Sequence, residues 1–217
     1  MTQIFDCADE TQRATGIASA VSAVKGGRLV VMPTDTVYGV GADAFDPAAV
    51  AALFSAKGRG RNMPVGVLVG SWQTIDGLSF AVPSAARELI HAFWPGALSI
   101  VVQQAPSLQW DLGEGNGTVM VRMPLHPVAI ELLREVGPMA VSSANVSGSP
   151  PATTADDAHK QLGELVEVYL NAGPSQQQAA STIVDLTGEA PRILREGPVT
   201  AGELSAVLGV DAATLTA

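Results

Sequence analysis

The sequence is poor in cysteine, in aromatic residues and in charge. Cys7 is the only cysteine among 217 residues, so the chain can form no internal disulfide and no thiolate zinc cage. Charged residues make up 15% of the chain and aromatic residues 5%, whereas 47% of the residues are apolar. That balance excludes intrinsic disorder, because the chain can bury enough apolar surface to offset its conformational entropy. We therefore expect a folded globular protein of ordinary domain size.

Signals for export and for membrane insertion are also missing. The first ten residues hold three acidic side chains and no basic one, which is the reverse of a secretory signal. No apolar run approaches the length of a membrane span. These features predict a soluble, cytoplasmic protein without a membrane partner.

Basic residues are scarce and unevenly placed. The chain has 12 Lys and Arg against 21 Asp and Glu, for a net charge of −9. No acidic residue occurs between Asp46 and Asp76, yet Lys57, Arg59 and Arg61 lie within five positions. Two interpretations are open: the cluster complements the dipole at the C-terminus of a helix, or it is a binding site for a phosphate or carboxylate.

Segments with helical and strand periodicity alternate along the chain. Helices are predicted near residues 17–24, 46–58, 84–93, 127–136, 154–162 and 201–208, and strands near 28–32, 65–69, 97–102, 118–122, 139–141, 166–170, 181–186 and 192–194. Such alternation is typical of a single α/β domain with a mixed, twisted sheet. The Gln-rich stretch 173–180 is predicted to be a mobile loop.

Several standard sites are excluded by the motifs. No glycine loop ends in Lys-Ser or Lys-Thr, and Gly39-Val40-Gly41 lacks the third glycine of a dinucleotide fingerprint. The three histidines have no carboxylate or cysteine at metal-ligand spacing, and no serine occupies a nucleophile elbow. The sequence therefore disfavours a histidine metal site and hydrolase chemistry.

Polar residues follow several of the predicted strands: Thr34-Asp35-Thr36, Arg122, Ser143-Ala144-Asn145 and Arg195. Each has a structural explanation, as a turn former, a surface ion pair or a helix cap. Loops at strand ends are also where open α/β sheets bind ligands. Together these residues supply cations, hydroxyls and an amide, which suit an anionic ligand.

An ordered set of motifs resembles the YrdC-type L-threonylcarbamoyladenylate synthases over about residues 10–200. The set consists of Pro33-Thr34-Asp35-Thr36-Val37-Tyr38-Gly39-Val40-Gly41, Lys57-x-Arg59, Trp94-Pro95-Gly96, Val121-Arg122-Met123-Pro124, Ser143-Ala144-Asn145 with Ser147-Gly148, Ser181-Thr182-Ile183-Val184-Asp185 and Leu194-Arg195-Glu196-Gly197. Each motif is weak alone, whereas the ordered set is highly specific.

The resemblance implies a YrdC-like α/β fold with flanking helices and a concave ligand-binding surface. It implies that L-threonine, bicarbonate and ATP react to threonylcarbamoyl-AMP and pyrophosphate, and that partner enzymes use the product to modify tRNA. Residues 1–10 are then an N-terminal lead-in, 11–198 the catalytic domain and 199–217 a C-terminal helix and tail, which makes the chain a short form of the family.

The resemblance also implies roles for individual residues. Lys57, Arg59, Ser143 and Asn145 form the catalytic set; Lys57, Arg61, Thr118, Ser143 and Arg195 bind the nucleotide; Thr34, Arg122, Val141 and Ser181 bind L-threonine. Arg122 suits a bidentate pair with the threonine carboxylate, and the planar fork of Arg59 suits phosphate oxygens. Mg²⁺ is expected on the phosphates of ATP, held mainly by the substrate.

Three positions depart from the pattern of the family. Gly60 stands where many relatives have proline, which predicts a looser loop. Leu68 replaces a histidine that contacts threonine in some relatives, and Pro151 replaces a serine that contacts the nucleotide.

Two other functions remain open. One is a non-catalytic module that binds double-stranded RNA or tRNA, although three cations in a chain of net charge −9 release few counterions and support only weak binding. The other is a related carbamoyl-nucleotidyl enzyme, because a similar domain occurs in hydrogenase-maturation carbamoyltransferases.

Overall fold

A single mixed sheet of ten strands is the framework of residues 2–216, the part of the chain that the computed structural model describes. The strands are β1 (Gln3–Asp6), β2 (Val30–Met32), β3 (Gly39–Asp43), β4 (Gly66–Leu68), β5 (Leu98–Gln103), β6 (Thr118–Arg122), β7 (Met139–Ser143), β8 (Val168–Asn171), β9 (Thr182–Asp185) and β10 (Arg192–Arg195). Their order across the sheet is β1-β8-β2-β3-β7-β4-β6-β5-β9-β10. Parallel pairs such as β4 with β6 and antiparallel pairs such as β3 with β7 both occur, which confirms the predicted fold class.

The helices connect these strands. They are α1 (Glu10–Lys25), α2 (Pro47–Lys57), α3 (Ile75–Leu78), α4 (Ser84–Phe93), α5 (Pro127–Val136), α6 (Ala155–Leu162), α7 (Ala201–Leu208) and α8 (Ala212–Leu215). Single 3-10 turns lie at Trp72–Thr74 and Gly163–Leu165. No helix within residues 2–216 is both long enough and apolar enough to cross a membrane.

Helix α2 carries the basic cluster and has clear signals at both ends. The Asp46 side chain accepts hydrogen bonds from two backbone amides of the first turn, and Pro47 occupies the first turn, where its missing N–H costs nothing. Lys57 is the last helical residue, followed by Gly58 with φ of +58°, a left-handed conformation that favours glycine. The local sequence therefore fixes where Lys57 enters the fold.

Hydrophobic clusters cover both faces of the sheet. Val31 belongs to a cluster that includes α2 and α4, whereas its neighbours Val30 and Met32 belong to a second cluster with α1 and α5. Side chains alternate between the faces of a strand, so this pattern places helices on both sides. The helices on the two faces do not cover the polar ends of several strands, and these ends form the site.

Strands β1 and β3 were not predicted from the sequence. β1 lies within the predicted lead-in of residues 1–10 and pairs in parallel with β8. In the predicted C-terminal segment 199–217, Leu204 and Leu215 are buried in the core. Met1 and Ala217, the ends of those two segments, lie outside the described residues.

Candidate active site

A cavity of about 530 Å³ opens where strands β3, β7, β4, β6, β5 and β9 lie side by side. Eight of the predicted site residues line it: Thr34, Arg59, Thr118, Arg122, Val141, Ser143, Ser181 and Arg195. Lys57 and Asn145 lie behind the lining, and Arg61 lies outside it. The sheet order thus gathers residues that are far apart in the sequence.

Glycines allow neighbouring strands to pack closely beside the cavity. A Cβ on Gly39 of β3 would lie 2.8 Å from the Val141 side chain of β7, and a Cβ on Gly66 of β4 would lie 2.4 Å from Met120 Cε. Real Cβ contacts are not that short, so glycine is required at Gly39 unless β3 or β7 shifts. The Gly39-Val40-Gly41 motif therefore serves close packing of strands.

Arg122, the last residue of β6, is held in a buried ion pair. Its Nη2 donates to Asp35 Oδ1 at 2.5 Å, its Nη1 to Thr36 Oγ1 at 2.8 Å and its Nε to the Gly96 carbonyl at 2.8 Å. Burial lowers the pKa of Arg122, and the Asp35 carboxylate opposes that shift. A guanidinium has five N–H groups, so two remain to receive a carboxylate.

The Thr34 hydroxyl extends this network. Thr34 Oγ1 donates to the Val37 carbonyl at 2.6 Å and lies 3.0 Å from Thr36 Oγ1, which in turn accepts from Arg122. Thr34 and Thr36 are both almost fully buried. The loop between β2 and β3 is therefore fixed against Arg122 before any ligand arrives.

Arg195 binds Ser181, another residue of the cavity lining. Its Nε donates to the Ser181 carbonyl at 2.9 Å and its Nη2 to Ser181 Oγ at 3.1 Å. Ser181 Oγ is also 2.8 Å from Ser99 Oγ. Burial, with a smaller contribution from the charge of Arg59, lowers the pKa of Arg195, and the charge of Arg195 in turn contributes to the lowered pKa of Arg122. Arg195 and Ser99 therefore fix Ser181 in the lining of the cavity.

Arg59 is a further cation of the cavity lining. Its Nη1 donates to Ser142 Oγ at 3.1 Å, and its Nε and Nη2 donate to the carbonyls of Met63 and Pro64. These bonds curl residues 59–64 around the guanidinium. Burial lowers the pKa of Arg59, but an arginine stays charged at neutral pH.

Lys57 is almost completely buried and binds the turn after β7. Its Nζ donates to the Ser143 carbonyl at 2.6 Å, the Asn145 carbonyl at 2.7 Å and Asn145 Oδ1 at 3.3 Å. The Ser147 amide donates back to the Lys57 carbonyl at 2.8 Å. All three ammonium protons are therefore donated to the turn. Lys57 does not line the cavity itself but binds Ser143, which does.

The protonation of Lys57 is sensitive to its surroundings. Burial, with a smaller contribution from the Arg59 charge, lowers its pKa from 10.5 to about 8. Asn145 Nδ2 donates to the carbonyls of Val146 and Ser149 at 2.9 and 2.8 Å, and these bonds orient Asn145 Oδ1 toward Lys57. The turn and the lysine thus form one hydrogen-bonded unit.

Arg61 was expected to bind the nucleotide, and its side chain lies outside the cavity lining. Its guanidinium pairs with Asp111 and lies over the Phe54 ring, 5.8 Å from the ring centroid. The loop after Gly58 turns Arg61 away from Arg59, so only one of these two arginines lines the cavity.

The two substituted family positions both line the cavity. Leu68 adds an apolar side chain on β4, and Pro151 lies on an exposed part of the rim. Neither can donate a side-chain hydrogen bond. Gly60, the third departure, has space for a Cβ only if the Asn62 side chain moves, since that Cβ would lie 2.6 Å from Asn62 Oδ1.

Four polar residues of the site were not assigned by sequence reasoning. Asp35 and Thr36 hold Arg122, Ser99 bonds Ser181, and Ser142 bonds Arg59. For Asp35 and Thr36, the sequence offered one signal, which is that both are next to or near Thr34. The other two become visible only when strands separated in sequence are paired.

The geometry suits the joining of two anions. Arg59, Arg122 and Arg195 all line the cavity and supply three positive charges to it. Fixed cations in a sheltered cavity stabilise negative charge more strongly than they do in water. Among residues 2–216, no group of three or more His, Cys, Asp or Glu side chains is placed to hold a metal ion.

Comparisons with known proteins show which family the chain resembles. Residues 22–197 match the model of the Sua5/YciO/YrdC family, described as telomere recombination. A Mycobacterium tuberculosis protein provisionally named threonylcarbamoyl-AMP synthase is 73% identical over 215 residues, 99% of each chain. The Bacillus subtilis threonylcarbamoyl-AMP synthase is 35% identical over 89% of this chain and 56% of its own length.

A solved structure of a related protein is similar to this chain in three dimensions. The Pyrococcus abyssi Sua5 protein complexed with L-threonine superposes with a TM-score of 0.89 at 33% identity. The match covers 96% of this chain and 61% of the Pyrococcus chain.

Proposed function

Because the chain belongs to the Sua5/YciO/YrdC family, we propose that it makes threonylcarbamoyl-AMP and pyrophosphate from L-threonine, bicarbonate or CO2, and ATP. The observation that carries this proposal is the lining of the cavity, which combines a buried arginine, Arg122, that keeps two N–H groups beyond its three internal hydrogen bonds with two further arginines, Arg59 and Arg195. Two anionic substrates can meet there.

In the first step, L-threonine binds with its carboxylate on Arg122. Asp35, Thr36 and the Gly96 carbonyl fix the guanidinium, so little side-chain entropy is lost when the carboxylate binds. Thr34, Ser181 and Val141 line the same cavity and would shape the space for the rest of the amino acid. The threonine amine takes up CO2 and releases a proton, which gives a carbamate.

In the second step, a carbamate oxygen attacks the α-phosphorus of ATP, and the bond from that phosphorus to the bridging oxygen breaks. Pyrophosphate leaves with the electron pair. Such transfers depend on positioning and on charge stabilisation rather than on covalent chemistry by the protein. Arg59 and Arg195 are the groups whose charges are suited to the phosphates, and Thr118 and Ser143 line the same cavity.

Lys57 and Asn145 act through the turn that carries Ser143. The lysine binds both carbonyls of this turn and the Asn145 side chain, so it fixes the Ser143 position and adds a positive charge behind it. We therefore assign Lys57 and Asn145 as positioning residues of the proposed catalytic set. Mg²⁺ would be held mainly by ATP phosphate oxygens, where it offsets their charge.

The product is an activated threonylcarbamoyl group, which we propose is passed to partner enzymes for threonylcarbamoyladenosine modification of tRNA in the cytoplasm. Direct tRNA binding is less well supported, because it needs surface cations free to contact phosphates. Six surface basic residues instead pair with carboxylates: Arg13, Arg28, Arg61, Arg87, Lys160 and Arg192.

Pyrophosphate release tests the proposal. It should require ATP, L-threonine and bicarbonate together, and Arg122→Met should abolish the threonine-dependent release. Arg87→Met, at an exposed pair with Asp76, is the matched control and should retain full turnover. Release with carbamoyl phosphate in place of threonine and bicarbonate would favour the related carbamoyl-nucleotidyl enzyme instead.

A further inference from the structure

Arg61 joins two segments that form one wall of the cavity. Arg61 itself does not line the cavity. Its guanidinium pairs with Asp111, and the two side chains are 49% and 47% exposed. Arg61 lies in the segment that follows α2, whereas Asp111 lies in the long connection between β5 and β6. The pair therefore links segments that are 50 residues apart in sequence.

Backbone contacts tie the same two segments together. The Glu114 amide donates to the Arg61 carbonyl at 2.8 Å, and the Val65 amide donates to the Leu112 carbonyl at 3.0 Å. Gly113 lies between these bonds with φ of +98°, and a Cβ there would be 2.8 Å from the Arg61 carbonyl oxygen. The segments approach so closely that only glycine fits.

Both segments contribute to the lining of the cavity. Pro64 and Val65 come from the first, and Trp110, Leu112 and Gly113 come from the second, which continues to Thr118. Residues 59–65 and 110–118 are called the cavity wall below. The same wall carries Arg59 and Thr118, so its position sets where two proposed nucleotide contacts lie.

We infer that Arg61 is a positioning residue for the nucleotide, and that its ion pair with Asp111 holds the cavity wall in place. This inference rests on the proposed function, since it takes ATP as the ligand. An exposed ion pair contributes little free energy and is screened by salt. Its loss should therefore leave the fold intact and loosen only the wall, so that ATP binding must then include the cost of ordering it.

A double-mutant cycle separates this role from direct contact with ATP. Arg61→Ala and Asp111→Ala should each weaken ATP binding about two- to fivefold in calorimetry at low salt, as expected from one exposed ion pair. The double-alanine variant should be no weaker than either single variant, because both changes remove one interaction. L-threonine binding should be unchanged, and Arg87→Ala, the matched exposed pair, should have no effect.

Hydrogen–deuterium exchange of the free protein provides a second readout. The amides of Val65 and Glu114 should exchange faster in both single variants than in the original chain. If Asp111→Ala binds ATP as tightly as the original chain while Arg61→Ala does not, then Arg61 touches the nucleotide and the inference is wrong. Unchanged exchange in both variants would also overturn it. Absence of ATP binding in the original chain would refute the proposed function. The exchange measurement would still test whether the ion pair holds the cavity wall in place.

Discussion

The ion pair between Asp35 and Arg122 makes a quantitative prediction for Asp35→Asn. Asparagine has nearly the same shape, and its Oδ1 can still accept from Arg122 and from the Leu125 amide, which donates to Asp35 at 2.9 Å. What the substitution removes is a negative charge beside a guanidinium whose side chain is 8% exposed. Leaving one charge of a buried pair uncompensated costs about 3 kcal/mol or more. For a chain of this size that corresponds to a Tm lower by about 6–12 °C.

L-threonine should partly reverse this loss. In Asp35→Asn the Arg122 charge is no longer balanced by a carboxylate, so the carboxylate of the amino acid becomes its only strong counter-charge in the cavity. The increase in Tm on adding L-threonine should therefore be larger in the variant than in the original chain, since a ligand that binds only the folded state stabilises it.

Thermal unfolding followed by circular dichroism, with and without L-threonine, measures both effects. Asp76→Asn is the matched control, because Asp76 pairs with Arg87 at the surface, and it should change stability by less than about 1 kcal/mol. A Tm for Asp35→Asn within a degree of the original, or loss of the threonine-dependent shift, would refute the assignment of Arg122 as a buried, prearranged carboxylate site.

Three further predictions concern the other cations. Lys57→Ala should lower kcat about a hundredfold, as when one fixed charge-stabilising group is lost, measured by pyrophosphate release; unchanged kcat would exclude Lys57 from the mechanism. Turnover should fall as pH rises through about 8, because deprotonated Lys57 has one hydrogen-bond donor fewer for its turn. The free energy of unfolding should instead increase from pH 8 toward 10.5, because the pKa of Lys57 is lower in the folded state than in the unfolded state. A pH profile and urea unfolding check the two signs. Arg195→Ala should raise KM for ATP about tenfold or more through loss of charge-assisted hydrogen bonds, and an unchanged KM would contradict that role.

The elements that could be predicted from the sequence are those whose signals are local. Helix α2 begins after Asp46 and ends before Gly58, and both residues act through contacts within one turn of the helix. Strand β1 has no such signal, because its four residues are mostly exposed and its partner β8 is more than 160 residues away. Strand β3 contains two glycines, which are rare in strands unless a neighbour packs closely. Only the pairing with β7 explains them.

The same distinction applies to the site. Arg122 and Arg195 were expected at the site because each ends a strand beside polar motifs, and the paired sheet brings both to the cavity. Asp35 was interpreted as a turn former, since nothing local indicates a partner 87 residues away. Arg61 could not be separated from Arg59 by composition, because the direction of each side chain depends on the path of the loop and on Asp111.

The central claim is that one cavity brings ATP and the carbamate of threonine together, and mass spectrometry of the reaction mixture tests it most directly. Purified protein incubated with ATP, L-threonine and bicarbonate should yield threonylcarbamoyl adenylate, and ¹³C-bicarbonate should add its label to the carbamoyl carbon. Omission of any one substrate, or Arg122→Met, should abolish the product. If no adenylate forms, or if it forms without threonine, the account of the cavity is wrong.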